Sequence, residues 1–235
     1  MHTKKSYTKR FRSYFLLFGL IACCGMLTSC FDFVEDINLK NNGSGTIKST
    51  LNLSKSSSKV ASLLKLKRIN GIAIPSQEKI KSETEAMIRI LKATPGISQV
   101  TYNLDFKSYI AQVSCSFSSI TALNEFNKTL ASHFKSSLGN ANIYQYQAKS
   151  GTFSRTFTSP ASLKSKFNSL SEADRTYFQD AFYTQITRFE KPIKSQLNKS
   201  AKIAAKGNAV LTKVKAIDLI SGKSTLANTI TLTSN

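Results

Sequence analysis

The clearest pattern in the chain is an alternation of apolar and polar residues between positions 99 and 117. A period of two is typical of strands with one buried face, and the break near 107–108 predicts a tight turn, so this segment is predicted to form a β-hairpin. Cys115 falls on the apolar face between Val113 and Phe117. The sequence therefore predicts a buried cysteine that packs as a small hydrophobic residue, in preference to a reactive thiol.

Apolar residues spaced by three and four predict helices on both sides of this hairpin. The first helix is predicted at 77–93, with Ser76 as its N-cap and Pro95-Gly96 after its end. The second is predicted at 120–135. The segments before them predict a strand at 46–54 and a short helix from residue 60 up to Asn70-Gly71.

The second half of the chain shows weaker patterns of the same two kinds. They predict a hairpin at 142–148 and 152–158, a helix after Ser159-Pro160, a helix capped by Ser171, strands at 182–190, 201–205, 209–215 and 225–233, and a helical turn at 216–221. The fold class is therefore α+β, with antiparallel sheets covered by helices. The order of elements in the first half matches a ferredoxin-like sandwich, and two subdomains at 46–148 and 149–235 are an open alternative to one body.

A basic and then apolar leader precedes these patterns. Residues 1–12 hold five basic residues and no acid, and residues 14–27 are apolar but short for a spanning helix. Leu27-Thr28-Ser29-Cys30 resembles the site at which a lipoprotein signal peptide is cut, here between Ser29 and Cys30. The resemblance implies that Cys30 carries a diacylglycerol and an amine-linked acyl chain such as palmitate. Lipidation at Cys23 and an uncleaved membrane anchor are the alternatives.

This site divides the chain into a signal peptide at 1–29, a lipidated N-terminus with a tether at 30–45, and a body at 46–235. The tether is predicted from its polar residues and two glycines, Gly43 and Gly45. Two or more acyl chains hold a protein stably on a bilayer. The predicted location is the bacterial cell envelope, at the outer membrane, with the lipid as the link to the membrane.

Composition shows a high net charge and too few cysteines for a disulfide in the body. The chain from Cys30 onward keeps 28 basic residues against 13 acids, a net charge of +15. Such a charge attracts anionic lipid headgroups or acidic glycans, although a solvated surface is the simpler interpretation. Nucleic acid is not an expected partner of an envelope protein. Once Cys30 is lipidated, only Cys115 remains after the leader, so the body is predicted to fold without an intramolecular disulfide.

Residues with catalytic potential are few. His133 is the only histidine after the leader, which argues against a metal site and against a histidine-based nucleophile; no cofactor is predicted. Paired carboxylates would suit hydrolysis of envelope polymers. The candidates are Asp105, Asp180, Glu190 and Asp218, and no spacing selects a pair among them.

The order of these signals resembles uncharacterised lipoproteins of Bacteroidota. The resemblance rests on the signal at 27–30, on Asp32, Glu35 and Asp36 behind the cysteine, on Asn42-Gly43-Ser44-Gly45-Thr46-Ile47, and on Ile217-Asp218-Leu219 near the end. It implies an envelope location and no known activity.

Three hypotheses follow for the function. The first is a non-catalytic binding or structural module, and the second is a hydrolase of envelope polymers that uses a carboxylate pair. The third is a carrier of an apolar ligand held between the helices and the sheet. A smooth basic face would favour the first hypothesis, a pocket lined by acids the second, and a dry cavity the third.

Overall fold

The structure is a computed structural model that describes residues 31–234 except 67, 70–71, 134–141, 160 and 177. Its fold is α+β, as predicted. The strands are β1 Asp32–Leu39, β2 Gly45–Asn52, β3 Arg68–Ile69, β4 Ile72–Ala73, β5 Ile97–Asp105, β6 Ile110–Phe117, β7 Asn142–Gln147, β8 Thr152–Phe157, β9 Phe182–Phe189, β10 Ile193–Gln196, β11 Ala201–Ile203, β12 Ala209–Lys215 and β13 Asn228–Leu232. The helices are α1 Ser57–Leu64, α2 Gln77–Ala93, α3 Ile120–His133, α4 Ala161–Asn168, α5 Glu172–Thr176 and α6 Ala216–Ser221.

The strands form two main sheets. The larger has the order β11-β12-β9-β1-β2-β6-β5, the smaller has the order β10-β13-β8-β7, and β3 and β4 form a separate pair. Strands β1 and β9 are parallel, whereas the other pairs of the described strands are antiparallel. Strands from both halves of the chain therefore share the seven-stranded sheet.

The segment predicted to be a tether is mostly a strand. β1 covers residues 32–39 and lies between β2 and β9, with Glu35, Ile37 and Leu39 buried. The prediction of a tether is therefore wrong for residues 32–39. The sequence pattern did not indicate a strand, because an acidic residue, Glu35, occupies a position on the buried face where an apolar residue is expected. The two glycines have separate roles: Gly43, with a φ of 83°, lies in the turn between β1 and β2, and Gly45 begins β2.

The ferredoxin-like expectation is also wrong. In that fold the fourth strand would lie beside the first strand of the unit, which corresponds to β2. Here β1 takes the place beside β2, and β7 joins the four-stranded sheet. Strands β2, β6 and β5 keep the antiparallel order of the other three strands of such a unit, so the prediction fails at its fourth strand.

Helix α2 follows the sequence prediction at both ends. The backbone N–H of Lys79 donates to the Ser76 side chain at 3.2 Å, which caps the helix at its start. The inward face is buried through Thr84, Met87, Ile88 and Leu91. The chain then leaves the helix through Gly96, with a φ of 79°, so the predicted bounds are confirmed.

One core joins the two sheets and the two long helices. Its buried side chains come from the seven-stranded sheet, from α2 and α3, and from β7, β8 and β13; they include Ile37, Ile47, Leu91, Phe126, Tyr144, Phe153 and Ile230. Helix α3 also completes an edge of the smaller sheet, because the Asn124 side chain accepts from the N–H of Tyr144 at 2.9 Å and donates to its C=O at 3.0 Å.

Candidate functional site

An apolar cavity lies between helices α1 and α2 and the inward face of the seven-stranded sheet. Its first lobe has a volume of about 190 Å³. The side chains around it are apolar except for Asp105, and they include Leu53, Val60, Leu64, Ile80, Leu104, Phe106, Tyr109 and Ile110. All of these residues are only partly buried, so this lobe is open to the surface.

A second lobe of about 240 Å³ lies farther along the same sheet face. Phe33, Met87, Val113 and Leu130 line it, and Leu51, Leu104 and Ala111 line both lobes. The lobes are therefore neighbouring parts of one apolar site. An apolar cavity of about 150 Å³ is enough to stay dry and to hold a small apolar molecule, and small-molecule sites begin near 300 Å³.

Small residues create the space. Ala111 faces Leu104 across the β5–β6 pair, and Ser49 is the buried residue of β2 at the second lobe. On the same strands the inward positions away from the cavity carry larger groups, such as Phe117 and Ile47. Helix α1 covers the first lobe without burying any residue fully. The gap therefore lies where short side chains meet a loosely packed helix.

A buried polar cluster lies near the second lobe, because Phe33, which lines that lobe, contacts the ring of Tyr183. Glu35 on β1 and Arg155 on β8 are 2% and 3% exposed. The guanidinium of Arg155 lies 3.2 Å from the Glu35 carboxylate and donates to the Tyr183 hydroxyl at 3.0 Å. The hydroxyls of Tyr144 and Tyr183 both donate to Glu35.

The cluster links the two sheets, because Glu35 and Tyr183 belong to the larger sheet and Tyr144 and Arg155 to the smaller one. Burial raises the pKa of Tyr144 and of Tyr183 above the ordinary phenol range, so both hydroxyls stay protonated and can donate. Since the charged groups are buried on every side, we interpret the cluster as a structural link. Local sequence patterns do not predict this cluster, because they assign Glu35 to a solvated tether.

The lipidation and cleavage residues, Cys30 and Ser29, lie outside the described residues. Cys115 is on β6 and buried, as predicted. Burial raises the pKa of its thiol to about 12, which suppresses the reactive thiolate. His133 is the last residue of α3. Within residues 31–234 as described, no group of three or more metal-ligating side chains comes together.

Of the four carboxylates proposed for hydrolysis, Asp180 and Asp218 adjoin the paired ends of β9 and β12, and the other two lie elsewhere in the fold. Asp105 ends β5, at the sheet edge opposite β9 and β12, which carry Asp180 and Asp218 near their ends. Four strand spacings amount to about 19 Å, well beyond the ~5–9.5 Å of a glycosidase pair. Glu190 follows the other end of β9 and accepts from the N–H of Asn41 at 2.8 Å.

Asp105 is the acid that lines the cavity, and it has a local role. Hydrogen bonds from the N–H groups of Ser108 and Lys107 hold the pKa of Asp105 below its usual range. Its carboxylate thus fixes the turn between β5 and β6 in the manner of an Asx turn. The described residues offer no observation in favour of the hydrolase alternative, which stays an untested prediction.

Basic side chains gather in the C-terminal part of the sheet. Residues 191–215 hold seven lysines and no acid. These are Lys191, Lys194, Lys199, Lys202, Lys206, Lys213 and Lys215. All but Lys191 are exposed, so this part of the surface is strongly cationic.

The described helices contain no segment of the length and apolarity required to cross a membrane.

No protein-family model and no curated protein matches the chain. Among solved structures, it is similar to the folded domain of LppM from Mycobacterium tuberculosis, determined by NMR. The two chains are 12% identical, the match covers 86% of this chain and 88% of that one, and the TM-score is 0.42. A similarity this low carries no argument about activity, and the resemblance to Bacteroidota lipoproteins stays a prediction from the sequence.

Proposed function

We propose that the protein is a non-catalytic, lipid-anchored module of the cell envelope that binds an apolar molecule in the two-lobed cavity. The observation that supports binding is the apolar lining shared by both lobes under α1 and α2. The leader and the Leu27–Cys30 pattern support the anchor and an outer-membrane location. The cationic surface at 191–215 supports a secondary attraction to anionic headgroups or acidic glycans.

Filling the cavity should weaken binding. Ala111 lines both lobes, so Ala111→Phe places a ring where the ligand would lie. We expect the affinity for a fluorescent fatty-acid analogue to fall by roughly tenfold or more, equal to about 1.4 kcal/mol. The measurement is a fluorescence titration of residues 31–235, a span that contains every described element.

The matched control is Asn103→Phe, which adds the same ring on β5 at an exposed position next to Leu104. It should bind the analogue like the unchanged protein. Circular dichroism of both variants checks that they are folded. A folded unchanged protein that does not bind the analogue, or a folded Ala111→Phe variant that binds it normally, would refute an apolar site in this cavity.

The anchor has a separate test. Mass spectrometry of the N-terminal peptide from native membranes should show a diacylglycerol-modified Cys30 as the first residue. The Cys30→Ser variant should lose the modification and the membrane association together, because no acyl chain would remain. An unmodified Cys30, or lipid on Cys23, would contradict the assignment.

A further inference from the structure

The segment that joins the proposed anchor to the first strand is very short. Cys30 precedes Asp32, the first residue of β1, by only two residues, which span at most about 7 Å. Strand β1 lies in the middle of the seven-stranded sheet. A lipid on Cys30 would therefore hold one particular end of the sheet against the bilayer, which a flexible tether would not do.

The open lobe of the cavity lies at this same end of the sheet. The register places Asp32 beside Asn52, Asn52 beside Ile110, and Ile110 beside Asp105. Leu53, which lines the first lobe, also donates its N–H to the C=O of Tyr109 at 2.9 Å. Strands β1 and β6 are two spacings apart, or about 10 Å.

The two lobes follow one another away from this end. Helix α2 begins near the first lobe, where Ile80 lines it, and Thr84 and Met87 line the second lobe one and two turns later. The C-terminal end of α2 leads into Ile97, which pairs with Phe117 at the far end of the sheet. The cavity thus extends inward from the anchored end.

Exposed lysines flank the first lobe. Lys65 and Lys107 each follow a lining residue, Leu64 and Phe106. Lys79, which precedes Ile80, pairs with Glu83. The nearest acid of the lining, Asp105, is engaged by the N–H groups of its own turn. An anionic headgroup would meet positive charge at the opening while an apolar chain occupies the lobes.

From these observations we propose that the first lobe opens toward the bilayer to which Cys30 is anchored, and that its ligand is an acyl lipid with an anionic headgroup from the same leaflet. The inference rests on the proposed function, since it needs both the anchor and the apolar site. A short anchor at the cavity end allows an acyl chain to pass from the bilayer into the protein without crossing bulk water. This passage would avoid exposing the acyl chain to water.

The orientation is tested with the full lipidated chain in vesicles of phosphatidylglycerol and phosphatidylcholine. One fluorophore is attached at Ser108→Cys in the β5–β6 turn, and a second, in a separate protein, at Lys206→Cys in the turn before β12. Position 206 lies at the far end of the sheet, near the end of β9. Brominated lipids should quench the label at position 108 severalfold more strongly than the label at position 206.

A ten-residue Gly-Ser insertion between Cys30 and Phe31 supplies the control for the short anchor. It should reduce the difference in quenching between the two positions and leave binding of the fatty-acid analogue by the same lipidated protein unaffected. Equal quenching of the two labels without the insertion, in protein that binds the analogue, would overturn the orientation and leave the apolar site intact. Absence of analogue binding would instead refute the proposed function.

The headgroup preference is tested in the same vesicles. Replacement of Lys65 and Lys107 by Gln should weaken the uptake of a fluorescent phosphatidylglycerol by about fivefold for each lysine removed. The matched control replaces Lys40 and Lys92, which lie at the far end and outside the 191–215 surface, and should retain normal uptake. Equal losses in the two double variants would overturn the role of the opening in recognition.

Discussion

Replacement of Glu35 by Leu is expected to lower the free energy of unfolding by about 3–5 kcal/mol, because it leaves a buried guanidinium without its carboxylate. Glu35 and Arg155 are 2% and 3% exposed and 3.2 Å apart, and two tyrosine hydroxyls also donate to Glu35. Urea denaturation followed by circular dichroism measures the change as a shift of the midpoint.

The neighbouring residue on β1 supplies the control. Asp36 pairs with Arg188 at the surface, where the Arg188 side chain is 41% exposed. Asp36→Asn should cost no more than about 1 kcal/mol, since solvent screens an exposed pair. The double variant Glu35→Leu with Arg155→Leu should recover part of the stability, because it removes both buried charges. A Glu35→Leu variant as stable as the unchanged protein would show that this cluster does not link the two sheets.

Gly45→Ala is expected to destabilise the protein by about 3 kcal/mol, at the upper end of typical overpacking costs. A Cβ at this position would lie 2.0 Å from the backbone oxygen of Asn38 and 2.6 Å from the ring of Phe117. Neither neighbour can move freely, since Asn38 belongs to β1 and Phe117 is 2% exposed. The β1–β2 pair would have to separate locally. Thermal and urea unfolding measure the loss.

Thr46→Ala is the matched control, because Thr46 is the next residue of β2 and is exposed. It should cost well under 1 kcal/mol, within the range of strand propensities. This pair of variants also tests the position of β1. If residues 31–45 were a flexible tether, Gly45 would have open space around it and Gly45→Ala would be close to neutral or slightly stabilising.

The cavity changes the balance among the three functional hypotheses. A dry cavity between the helices and the sheet is the feature expected of an apolar-ligand carrier. The structure has an apolar cavity at this place, with two adjoining lobes of about 190 and 240 Å³. Its lining contains Leu51, Leu104 and Ala111, each of which alternation alone places on the inward face. The sequence could not show that these residues leave space, because that depends on where α1 and α2 pack above them.

The sequence by itself determined the elements whose signals are local. Helix α2, the β5–β6 hairpin with the buried Cys115, the β7–β8 hairpin, and strands β9 and β12 lie close to where periodicity predicts them. In each case the caps, turn residues and apolar spacing lie within about twenty residues of one another. The short strand β10 was missed because four residues, with a bulge in their pairing to β13, give no clear alternation.

The tertiary structure alone decided how these elements are ordered. Strand β1 pairs in parallel with β9, which is about 150 residues away in the chain, and this pairing buries Glu35 against Arg155 from the other sheet. Read locally, an acidic residue near a predicted lipidated cysteine favours a solvated tether. Only a distant arginine and two distant tyrosines make burial of Glu35 favourable. Non-local pairing of this kind placed the predicted anchor and the open lobe of the cavity at the same end of the sheet.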